Sequence, residues 1–151
     1  MNADFLEILH DIRENPLKYM RAATFDETVA ILSGINHATQ KQWLDGFQEW
    51  ITIQLEGGYS NTFWGITSLY VTFPEFPRGY PALSPPNEEL ARNGLLAQVE
   101  QFLWERKSEG LDSLRKRCRV ARNEWAERHE DEIFAGCEWV DTEPEQENDD
   151  V

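Results

Sequence analysis

Residues 84–130 read SPPNEELARNGLLAQVEQFLWERKSEGLDSLRKRCRVARNEWAERHE, and this stretch decides the fold. Ser84 followed by Pro85 and Pro86 is a helix entry, because serine caps free N–H groups and proline suits a first turn. The spacing predicts a helix over about 86–108, with Leu90, Leu96, Val99, Phe102 and Leu103 in the core. Gly110 ends it, and a last helix over about 111–130 follows. Leu111, Leu114, Cys118, Ala121 and Trp125 step by three and four residues, a narrow seam that fits packing against a partner helix.

The chain before residue 84 has the same character. Phe5, Ile8, Leu9 and Ile12 give residues 4–14 one buried helical face, and Pro16 disfavours helical geometry at Asn15. Thr24 and Glu27 form a T-x-x-E capping box that opens a second helix through Val29, Leu32 and Ile35. Gly34 inside that helix implies either close approach of another helix or a break. Residues 40–56 read as an amphipathic helix on Trp43, Phe47, Trp50, Ile51 and Leu55, stopped by Gly57-Gly58. Residues 61–73 suit helix or strand, and helix is favoured because no partner strand is evident. Residues 74–86 hold five of the seven prolines and form a connector, anchored by Phe76 and Tyr80. The expected architecture is all-α, a bundle of five to six helices in one domain over 1–137 with a disordered tail over 138–151.

The 151 residues suit a single domain, and the chain carries 28 acids against 14 bases, a net charge of −14. That balance argues against direct nucleic-acid or anionic-membrane binding and favours a basic partner. Half of the net charge belongs to residues 138–151, where Glu138, Asp141, Glu143, Glu145, Glu147, Asp149 and Asp150 face no base. These seven acids are the candidate partner-facing residues. A basic stripe runs from Arg115 through Lys116, Arg117 and Arg119 to Arg122, read as a solvated face with the acidic tail folding back near it. No apolar run is long enough for a membrane span, and Asp4, Glu7, Asp11 and Glu14 do not suit a signal peptide. Two cysteines, Cys118 and Cys137, fit a reduced, cytoplasmic protein.

Chemistry-bearing motifs are sparse. No phosphate-binding glycine loop, H-E-x-x-H or G-x-S-x-G occurs. His10 with Glu14 and His129 with Glu132 have helical spacing, but a helical-bundle metal site needs further inward-facing carboxylates. Cys118 lies on the apolar seam and reads as a buried structural thiol. No catalytic residue, no metal site and no cofactor is expected.

Residues 5–19, FLEILHDIRENPLKY, are followed by Ser33-Gly34, by FQEW at 47–50, by Ile51 and by Trp64. Glu88, Glu89 and Ala91 then open a helix that reaches Phe102-Leu103. This pattern resembles a largely uncharacterised family of small acidic bacterial proteins. Members carry an Arg-Pro-x-x-Tyr motif, a helix with an internal glycine, a Phe-x-x-Trp helix and a lone tryptophan. Pro16, Tyr19, Gly34, Phe47, Trp50 and Trp64 match the pattern, and Asn15 stands where the motif has arginine. The matched residues read as scaffold: a helix stop, a tyrosine donating over the turn, a close crossing and core aromatics. The resemblance covers about residues 4–105 and implies an immunity-like role, the inhibition of a basic bacterial toxin. The alternatives are an acidic nucleic-acid mimic and an assembly protein of mobile-element origin that associates through its last helix.

Overall fold

The computed structural model describes residues 3–40, 42–75 and 83–130. Six α-helices and no strand occur among them: α1 (Ala3–Glu14), α2 (Phe25–Ala38), α3 (Phe47–Gln54), α4 (Trp64–Thr72), α5 (Pro85–Glu109) and α6 (Leu111–Arg128), with a 3-10 turn at Pro16–Lys18. The fold is all-α, and residues 61–73 are helical where they are regular.

Helix α5 is the axis of the bundle and packs on each of the other five helices. Its 25 residues bury Ala91, Leu95, Leu96, Val99, Phe102 and Leu103 together with Arg92 and Gln98. Leu90, expected in the core, is 57% exposed. The buried stripe runs through Ala91 and Leu95 instead, leaving Leu90 just outside it. At the N-terminal end, α5 holds the start of α2. The Phe25 amide donates to the Glu88 carboxylate at 2.7 Å, and Arg92 Nη1 donates to the Ala23 carbonyl at 2.6 Å. Thr24 and Glu27 close the capping box, as their spacing predicts.

Against α4, the α5 surface is polar but satisfied. Ser68 Oγ donates to Gln98 Oε1 at 2.6 Å, and Gln98 Nε2 donates to Thr72 Oγ1 at 3.0 Å. Gly94 sits at this crossing, where a Cβ would meet Thr72 Oγ1 at 2.5 Å. Phe47, Trp50, Trp64 and Phe102 fill the centre, with Phe47 5.3 Å from the Phe102 ring and 5.5 Å from the Trp64 ring. Such tilted arrangements favour edge-to-face contact over sandwich stacking.

Two expectations are corrected. The helix predicted from residue 40 begins only at Phe47, because Gly46 adopts φ +92 and breaks the helical path. Arg106 stabilises the preceding turn by donating to the carbonyls of Gln42 (3.1 Å) and Asp45 (2.9 Å). Gly34 neither breaks α2 nor permits a crossing. The helix runs through it to Ala38, the residue is exposed, and a Cβ there would meet nothing within 4 Å. The close approach occurs at Gly57, where a Cβ would run into the α6 backbone at Ala121 and Arg122.

Candidate functional site

Asn15, Lys18 and Tyr19 converge on the carboxylate of Asp11, which the motif does not name. Pro16 opens the 3-10 turn, and the turn brings Lys18 Nζ to 2.5 Å from Asp11 Oδ2. Asn15 Nδ2 donates to the other Asp11 oxygen at 2.8 Å, and the Tyr19 hydroxyl donates to Oδ2. Hydrogen bonds from Lys18 first, then Tyr19 and Asn15, hold the Asp11 carboxyl far below the usual carboxylate range. The charged contact of this turn thus comes from Lys18, while Asn15 contributes a neutral hydrogen bond. A helix position four residues before Asn15 was the available signal for Asp11.

Phe47, Trp50 and Trp64 are buried, and the Trp50 indole N–H donates to the Glu105 carboxylate on α5. These residues are scaffold in this structure. Tyr19 is partly exposed over its turn.

Two sets of acids stand out. Asp11, Glu27, Glu88, Glu105, Asp45, Glu49 and Glu109 accept structural hydrogen bonds or ion pairs within the bundle. Glu124 and Glu127 are exposed on the second half of α6 and Glu130 is exposed just past its end, and they lead in sequence into Asp131, Glu132 and the seven acids of 138–151. Those seven candidate residues, Glu138 to Asp150, lie outside the described residues.

The basic stripe of α6 is also divided. Arg115 bridges Asp45 (2.8 Å) and Glu49 (3.4 Å), and Arg117 pairs with Glu109 at 2.5 Å. Arg119 and Arg122 instead flank a surface pocket of about 410 Å³ with Ser60, Asn123, Trp125 and Gly57. Across α6, Lys116 lines a second groove with Ile53, Arg117, Val120 and Glu124.

Among the described residues, no group of three or more His, Cys, Asp or Glu side chains is placed to hold a metal ion. His10 and Glu14 are both exposed, and Glu132 lies outside the described residues. His129 stacks on Trp125 with ring centroids 4.3 Å apart. Cys118 is buried, and burial followed by the Glu49 charge pushes its thiol up, away from the reactive thiolate. Cys137 lies outside the described residues. No described helix is long and apolar enough to cross a membrane.

The fold and this surface define an all-α bundle with an acid-rich C-terminal end. Comparisons with protein families, with curated proteins and with solved structures find no match to this chain.

Proposed function

We propose that this protein acts by binding a basic protein partner, as an immunity-like inhibitor of a bacterial toxin, and performs no catalysis. One observation supports the reading above the others. From Glu124 to Asp150 there are twelve acids against the single base Arg128, and the first two, Glu124 and Glu127, project from helix α6. Toxins that act on nucleic acids carry cationic sites, and a concentrated anionic surface is steered toward such a site and covers it. The remaining acids are scattered over the first 112 residues, and several are held in hydrogen bonds or ion pairs of the bundle, so the C-terminal end is where acidic charge is most concentrated.

A nucleic-acid mimic needs carboxylates spaced like phosphates along one face. Lys116, Arg119 and Arg122 interrupt the α6 face, which weighs against that alternative. Association through the α6 seam is also disfavoured, because Leu114 and Cys118 are already buried and α6 packs on α3 of the same chain.

The test is co-expression with the product of the neighbouring gene. The expected result is a product that is toxic alone, is tolerated with this protein, and co-purifies with it in a salt-sensitive complex. A neighbour that is neither toxic nor bound overturns the reading. Replacing Glu124, Glu127 and Glu130 by Gln should weaken the complex at low salt without unfolding the bundle, since all three are exposed.

A further inference from the structure

Arg119 and Arg122 differ from the other arginines of α6. Arg115 and Arg117 are committed to carboxylates, and Arg128 donates to the Glu56 carbonyl at 3.2 Å. Among the described residues, Arg119 and Arg122 have no carboxylate partner. They face one pocket, whose polar side chains include the Ser60 hydroxyl and the Asn123 amide, and no acid lines it. Two guanidinium forks with a hydroxyl and an amide make a site for oxyanions. The pocket is built on a fixed crossing, since the Gly57 backbone is seated directly on Ala121 and Arg122.

The chain itself supplies the matching ligand. Helix α6 ends at Arg128, about 9 Å along the axis from Arg122. Residues 131–151 then hold nine acids and no base. At about 3.3 Å per residue, the seven links from Asp131 to Glu138 span up to about 23 Å, so every acid from Glu138 onward can reach back to the pocket. A tethered carboxylate acts there at an effective concentration in the millimolar range.

We propose that the Arg119–Arg122 pocket is a carboxylate-binding site filled in cis by the acidic segment Glu138–Asp150. The contact concerns the protein alone and does not rest on the identity of any partner. Its consequence is competition: a basic partner that takes the segment must draw it off its own arginines.

The test uses the full chain with Cys137→Ser and a nitroxide on Asp149→Cys; Cys118 is buried and does not compete for the label. Amide spectra are recorded in about 10 mM salt, where the Debye length is about 30 Å, and in about 1 M salt, where it is about 3 Å. Residues 57–60 and 119–126 should lose at least about half their intensity at low salt and recover it at high salt. The loss should vanish in Arg119→Gln/Arg122→Gln, which changes two exposed side chains and should leave the circular dichroism unaltered. No intensity loss at low salt, or an equal loss in the double variant, overturns the proposal. So does loss seen when label and isotope are on separate molecules, which makes a second copy the occupant. Added inorganic phosphate that binds the arginines without moving the label identifies an external anion as the ligand and also overturns it.

Discussion

The indole N–H of Trp50 donates to the carboxylate of Glu105, joining α3 to α5 across 55 residues of sequence. Trp50 is 1% exposed, so this donor has little access to water if its acceptor is removed. An unsatisfied buried donor costs about 1–3 kcal/mol. Glu105→Ala should therefore destabilise the protein by that amount in urea unfolding, whereas Glu105→Gln, which keeps an acceptor, should cost less than about 1 kcal/mol. A Glu105→Ala loss no larger than that of Glu89→Ala, an exposed position on the same helix, would show that the bond carries no weight.

Gly34 gives a prediction of opposite sign. It lies within α2 on an exposed face with open space where a Cβ would project. Alanine there removes the backbone entropy of glycine and touches nothing, so Gly34→Ala should stabilise the chain by about 0.5–1 kcal/mol. Thermal unfolding followed at 222 nm reads this directly. Destabilisation would mean that a neighbour does approach α2 at this point.

Local signals in the sequence are sufficient for most helix ends. Thr24 and Glu27 cap α2 within one turn, and Gly110 separates α5 from α6, because those signals act through adjacent backbone groups. The start of α3 is not legible in the same way. It depends on the left-handed Gly46 and on Arg106, whose contacts with Gln42 and Asp45 bridge more than sixty residues. The same holds for the candidate surface. The run 115–122 reads as one basic stripe, yet Asp45, Glu49 and Glu109 occupy Arg115 and Arg117 and leave Arg119 and Arg122 to their own pocket. Which cation is spent is a tertiary fact. Asp11 is hard to single out for a related reason: Asn15 reaches it from the next helical turn, but only the turn at Pro16 folds Lys18 and Tyr19 back onto it.

Asp11 sets a pH dependence. Its carboxyl titrates well below the ordinary carboxylate range in the folded chain, with Lys18 as the largest cause and Tyr19 and Asn15 next. A carboxyl whose folded value is depressed stabilises the protein fully above its unfolded value and loses that contribution as pH falls toward the folded one. The urea midpoint of the wild type should thus exceed that of Asp11→Asn at pH 7, and the gap should close progressively below about pH 4. Lys18→Gln should narrow the gap at neutral pH, and salt should narrow it too, because the cluster is solvent-exposed. A gap that does not change between pH 7 and pH 2 would remove Asp11 as its source.

Gly57 is the position where the bundle has no room. It combines φ +94 with a backbone so close to α6 that an added Cβ would lie 2.7 Å from the Arg122 amide nitrogen and closer still to Ala121. Alanine in that conformation is strained by about 1–2 kcal/mol, and displacing packed backbone adds about 1–3 kcal/mol. The α6 backbone cannot yield as a flexible side chain would, so the two costs combine. Gly57→Ala should lower stability by about 3 kcal/mol and the Tm by about 10 °C. It should also release the end of α6, loosening the stack of Trp125 on His129 and the Arg128 contact with Glu56, both of which lie beyond the crossing. Amide exchange along 119–128 is the specific readout, because protection there should fall by more than it does in α1 and α2, which share only the global loss. Gly34→Ala makes the same chemical change on an open face and serves as the control. If Gly57→Ala leaves the Tm unchanged or raises it as Gly34→Ala does, the crossing at Gly57 is looser than its geometry states.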